Sequence, residues 1–145
     1  MNISLLKKTE MRTNKVLRLL MFILLISSTA IRAQSEGTLP SEITEATRNG
    51  DAIELANYFN NKIELVLPSN SGVFSKQQAQ FMLKDFFNTY PPTSFQLIHQ
   101  GVRENATFAI GRYSYSKGKF RFVFLTKNEG SKALIHQLRI EQQDE

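Results

Sequence analysis

His99 and His136, the two histidines of this 145-residue chain, are the side chains best suited to moving a proton near neutral pH. With Tyr58, Tyr113 and Tyr115 they form the set from which a binding or proton-transfer site could be built. Two histidines on separate segments, with no third ligand at metal-binding spacing, are a thin basis for a metal centre. The chain has no cysteine, which removes thiolate zinc and any disulfide framework. Neither a glycine-rich phosphate loop nor a nucleophile elbow is present. The expectation is therefore no metal, no cofactor and no catalytic residue, with these five residues as a ligand-binding set. For each the plainer role, a histidine hydrogen-bonded to a neighbour or a tyrosine packed with its hydroxyl at a wet edge, weighs more. Arg112 and Arg121 offer an anion site whose ordinary alternative is a solvated sheet face paired with Glu141.

The stretch "YSYSKGKFRFVFL", residues 113 to 125, raises nucleic acid as a ligand. "KGKFRFVF" looks similar to the core strand of the RNA-recognition motif but departs from it twice. Lys119 is inserted before the first aromatic, and Arg121 sits where a small residue belongs. Alternating aromatics also describe a half-buried hairpin. A two-residue loop at Lys117–Gly118 would pair Tyr115 with Phe120, Tyr113 with Phe122 and Gly111 with Phe124, gathering the aromatics on one face.

Charge decides against nucleic acid. The formal net charge is +5, from 18 Lys and Arg against 13 Asp and Glu. Six of those basic residues and only one acid lie in residues 1–33, so Gln34–Glu145 carries twelve of each. A neutral domain lacks the electrostatic footprint of a phosphate binder.

Residues 1–33 have the form of an export signal: a basic leader, the apolar run "LLMFILLI" and the small residues of "SSTAIRA". Cleavage is expected after Ala33 or Ala30, and Met11 is an alternative start. A retained membrane anchor needs ~20 apolar residues, and Arg18 and Arg32 bracket only 13 positions. The expectation is an exported protein, periplasmic or secreted, with no membrane span after cleavage.

The rest is read as a mobile segment, 34–40, and one α+β domain, 41–145. Ser41–Gly50 reads as a short helix stopped by Asn49–Gly50. Asp51 opens a second, with Ile53, Leu55, Ala56, Tyr58 and Phe59 as its buried face and Glu54 in capping-box position. "IELVLP" is a strand and "SNSG" a loop. Ser75 and Gln78 box the start of a third helix, which gathers Ala79, Met82, Leu83, Phe86, Phe87 and Tyr90 on one side and leaves Phe81 off it. Four strands follow, "SFQLIHQGVR", "TFAIGRYSYS", "KFRFVFLTK" and "ALIHQLRIEQ". The order is α-α-β-α-β-β-β-β.

The segment "RNGDAIELANYFNNKIELVLPSNSGVFSKQQAQFMLKDFF" resembles the opening of the nuclear transport factor 2-like, or cystatin-like α+β, superfamily. Gly50–Asp51, the anchors Leu55, Tyr58 and Phe59, and the Phe-rich helix 81–87 carry the likeness. The chain is also similar to small secreted bacterial proteins of that fold classed as a family of unknown function. The resemblance implies N-terminal helices packed on a curved antiparallel sheet that forms a cone. Phe95, Leu97, His99, Tyr113, Tyr115, Phe120, Phe122, Phe124, Leu134, His136, Leu138 and Ile140 then point inward. Isomerases and cyclases of the superfamily use an interior carboxylate, and none falls inward here. The expected function is non-catalytic binding of a small apolar or amphipathic molecule or of a protein partner. The alternative is an isomerase, hydratase or cyclase using the His and Tyr cluster. A weak homodimer through the outer sheet face, with Arg112, Ser114, Arg121, Val123, Ile135 and Gln137, is the expected self-association.

Overall fold

A computed structural model describes residues 37–144 together with Asn14, Lys15 and Arg18. The chain divides into two compact units, Met1–Gln34 and Ser35–Glu145. In the first, Asn14, Lys15 and Arg18 are helical and exposed. The rest of the expected export signal and its expected cleavage sites lie outside the described residues.

The second unit begins with α1 (Ser41–Asn49) and α2 (Ala52–Ala56). Gly50 separates them in the left-handed region at φ 65°, and its N–H closes onto the α1 carbonyls. Asp51 caps α2 by accepting from the N–H groups of Ile53 and Glu54. Only half of the expected capping box forms, because the Glu54 carboxylate accepts from the Asn57 side chain instead. The helix is also shorter than its apolar pattern implies. It stops at Ala56, Ile53 is 60% exposed, and Phe59 is buried as a strand residue. Of the segment expected to be mobile, Leu39 is buried and its N–H donates to Gln100 Oε1 at 2.9 Å.

Two strands come next, β1 (Phe59–Val66) and β2 (Ser71–Ser75). β2 corrects the element order, since its residues were expected in a loop and in the helix cap. Five residues flanked by serines, with one glycine among them, give too short an alternation to show as a strand. Ser75 then begins α3 (Lys76–Thr89) with both halves of a capping box, Gln78 N–H to Ser75 Oγ and Ser75 N–H to Gln78 Oε1. The expected phase holds here. Ala79, Leu83, Phe86 and Phe87 are buried and Phe81 is 66% exposed.

β3 (Pro92–Arg103), β4 (Ala106–Tyr115), β5 (Gly118–Glu129) and β6 (Lys132–Gln143) complete one six-stranded curved sheet in the order β2-β1-β6-β5-β4-β3. It is mixed rather than wholly antiparallel, because β1 runs parallel to β6. Glu104 and Asn105, at φ 50° and 63°, make the tight β3–β4 turn. The β4–β5 turn falls at Ser116–Lys117, so Tyr115 faces Gly118, Tyr113 faces Phe120 and Gly111 faces Phe122. This is two residues off the expected pairing. An even slip keeps every side chain on its face, so the aromatics still share the inner one. Gly118 opposite Tyr115 leaves room for the tyrosine ring, whose hydroxyl would lie 3.2 Å from any Cβ there.

Two bulges overturn other expectations. On β3 the register skips Ile98, between Leu97↔Gly111 and His99↔Ile110. On β6 it skips His136, between Gln137↔Leu125 and Ile135↔Thr126. An extra residue in one strand sends the following side chains to the opposite face. Ile135, expected outside, is therefore fully buried, while Leu134, expected inside, pairs with Lys127 on the outer side.

Candidate functional site

The inner face of the sheet meets α3 in an aromatic core. Tyr113, Phe120, Phe122 and Phe124 are at most 1% exposed. The Phe86 ring enters among them, 5.9 Å from Tyr113, 5.1 Å from Phe120 and 6.0 Å from Phe122 between centroids. Tyr113 and Phe122 stack at 4.8 Å and 13°. The space between helices and sheet is packed with side chains.

The five expected ligand-binding residues do not converge. Tyr113 and Tyr115 are neighbours in the core, both against Phe120. The Tyr113 hydroxyl donates to the Tyr90 backbone carbonyl. Tyr58 lies between α2 and β1, where burial first, then Glu42 and Glu54, raises its hydroxyl pKa. His99, turned by the Ile98 bulge, is exposed on the outer face, with its ring 5.5 Å from Phe108. His136, the skipped residue of β6, has Nδ1 3.4 Å from Asn60 Nδ2 and Nε2 3.1 Å from Glu129 Oε1. The latter approach is an ion-pair distance without hydrogen-bond alignment, and Nε2 is buried with no hydrogen-bond partner. Both histidines are corrected as cone residues, because each bulge takes its imidazole out of the aromatic core. Among the described residues no three His, Cys, Asp or Glu side chains cluster to hold a metal.

Burial pushes the Tyr113 hydroxyl far above its ordinary pKa of 10.0. The folded state keeps the phenol proton, whereas the unfolded chain releases it above about pH 10. The contribution of this group is therefore whole below pH 10 and lost as pH climbs past it. Tyr113→Phe should cost ~0.5–1.5 kcal/mol at neutral pH and flatten the alkaline fall in urea-midpoint stability. An unchanged alkaline slope would show that another group carries it.

Three concavities open at the surface of the described residues. One of about 330 Å³ sits between the β1–β2 turn and the second half of α3, with Phe86 and Tyr90 at the edge of the core forming part of its wall. Another, about 450 Å³, runs by Phe74, Phe81 and Met82. The largest of these, about 560 Å³, opens on the outer sheet face between Phe108 and Leu125, with Arg103, Glu104, Lys127 and Gln137 around it and Ala106 buried at its floor.

That outer face is built in rows across the strands. Gln96, Arg112, Arg121 and Glu141 form one, and His99, Ile110, Val123 and Arg139 the next. Phe108, Leu125, Gln137 and Glu64 follow, with Gln137 donating to Glu64 at 2.8 Å. Phe108, Ile110, Val123 and Leu125 are all half-buried, giving an apolar strip between charged ends. Sequence reasoning missed this cleft, yet a signal existed. "TFAI" and "FVFL" are nearly unbroken apolar runs, and a strand that is apolar at every position has something to offer on both faces.

The family described as domain of unknown function DUF4783 matches residues 40–141. The crystal structure of a DUF4783 family protein from Bacteroides ovatus is 32% identical, with a TM-score of 0.70, covering 74% of this chain and 97% of that one. One from Bacteroides uniformis is 30% identical at a TM-score of 0.69, covering 74% and 100%. An NTF2-like protein of unknown function from Shewanella baltica shares the fold at 15% identity and a TM-score of 0.55, covering 72% and 88%. No curated protein matches the chain.

Proposed function

The chain belongs to the DUF4783 family of domains of unknown function, with an NTF2-like fold, and from that premise we propose an exported, non-catalytic module that binds a protein partner through its outer sheet face. One observation carries this reading: the interior where the fold could hold a small molecule is filled by Phe86, Tyr113, Phe120 and Phe122. Side chains packed against one another in this way leave little room between helices and sheet for a small molecule. The outer face instead offers a half-buried apolar strip edged by charge, the composition of a modest, partly polar interface. A weak homodimer or a complex with another protein would both use it. Export is supported by the basic leader and its short apolar run.

Protein recovered from producing cells tests both parts. Its N-terminus should be Gln34, or Ile31 if cleavage follows Ala30. Intact Met1 or Met11 in the membrane fraction would remove export. Val123→Glu places a carboxylate opposite Arg139 on the neighbouring strand, so the fold should persist while association seen by sedimentation is lost. Unfolding of that variant would mean that Val123 is core and the outer face is not the working surface. A monomer at high concentration would discard the homodimer.

A further inference from the structure

The outer face holds a charge arrangement that its own chain leaves unbalanced. Arg112 and Arg121 stand directly opposite each other on β4 and β5, both exposed. Like charges facing across strands destabilise a sheet unless something neutralises them. Glu141 is next in that row, but its carboxylate is taken by Arg139 at 3.1 Å. Among the described residues no carboxylate pairs with Arg112 or Arg121. At the other end of the apolar strip, Arg103 and Lys127, in the row of Ala106, border the 560 Å³ cleft together with the turn residue Glu104, so that end stays net cationic but only by one charge. Six residues of strand separate the two cationic rows, roughly 20 Å at the usual rise.

Resting on the outer-face reading, we infer that the partner presents an acidic, extended segment laid along β4 and β5. One carboxylate lies between the guanidinium groups of Arg112 and Arg121, which suit planar, bidentate recognition of carboxylate. Apolar side chains two and four residues on cover Ile110, Val123, Phe108 and Leu125. A second carboxylate, six residues on, reaches Arg103 and Lys127. The match of length and charge at both ends of an apolar strip favours a peptide over a lipid surface, which would need cationic groups ringing a protruding apolar tip. A second copy is disfavoured too, since two-fold pairing centred on this row would set guanidinium against guanidinium.

The test uses a seven-residue peptide with glutamate at both ends, valine third and fifth and serine between, spanning ~20 Å when extended. It is titrated into protein recovered from producing cells. Saturable binding should fall ~10-fold or more in Arg112→Gln/Arg121→Gln, the loss expected for charge-assisted hydrogen bonds. Arg112→Lys/Arg121→Lys should restore part of it, and high salt should weaken it. Circular dichroism and the thermal midpoint of the Gln variant should match the parent, keeping the comparison one of folded proteins. Absence of saturable binding overturns the proposal, as does equal binding by the Gln variant or by a peptide carrying glutamine for glutamate. Capture by phosphatidylglycerol vesicles in preference to the peptide overturns it in favour of a membrane. If the peptide fails while Val123→Glu still abolishes association, the outer face stands as an interface and only the acidic partner is lost.

Discussion

Phe86→Ala should lower the free energy of unfolding by about 3–5 kcal/mol, the range for removing a large buried aromatic. The ring sits at the centre of the core, with centroids of Phe87, Tyr90, Tyr113, Phe120 and Phe122 between 5.1 and 6.0 Å away. Truncation removes edge-to-face contacts to several partners at once. Those partners are held by α3 on one side and a six-stranded sheet on the other, so they cannot close the void. Asp85, one residue earlier, is exposed, and Asp85→Ala should stay within about 0.5 kcal/mol. Urea denaturation of the two variants separates the outcomes, and equal losses would overturn the placement of α3.

A methyl group at Gly111 should cost about 1–3 kcal/mol, as overpacking does. A Cβ there would lie 2.3 Å from Phe95 Cζ and 2.4 Å from Cε2. The Phe95 ring has nowhere to retreat, being 2% exposed and packed 5.8 Å from Phe122 and 6.2 Å from Phe124. Gly111→Ala should therefore destabilise well beyond Gly118→Ala, where the tight contact is only the outer end of the half-buried Tyr115. Phe95→Leu in the Gly111→Ala background should recover part of the loss, a non-additivity that denaturation of all three variants would show. Additive costs would mean that the two side chains do not collide.

The contrast between α3 and the strands explains what the sequence could disclose. A capping box and a 3.6-residue period are local signals, and both survive in α3 because nothing in the tertiary structure opposes them. The faces of β4 and β5 were legible for a similar reason, since the aromatics Tyr113 and Tyr115 on one strand and Phe120, Phe122 and Phe124 on the other recur at every second position. The pairing partners were not, because shifting the turn to Ser116–Lys117 leaves that alternation untouched. Bulges are harder. Ile98 and His136 carry no turn residue, but both lie in an LIHQ quartet, 97–100 and 134–137, where two apolar and then two polar residues interrupt the alternation, and each inverts the strand beyond it, moving His99 outward and Ile135 inward. The expected inward placement of the two histidines failed at those positions. A ligand set drawn across separate strands depends on every register between them, and one extra residue in each of two strands dispersed it.

The parallel pairing of β1 with β6 also governs when the domain can become whole. A chain made from its N-terminus presents β1 and β2 early, and they can form only a two-stranded ribbon, marginal by itself in water. Their neighbour in the finished sheet is the last strand to emerge, the 12-residue β6. Until then β3, β4 and β5 form a separate meander, and β5 keeps an open edge where β6 will sit. Closing the gap joins contacts far apart in sequence, the slow kind. The sheet therefore stays in two pieces until β6 is in place, and a stop codon before β6 would leave a ribbon and a meander with nothing to join them.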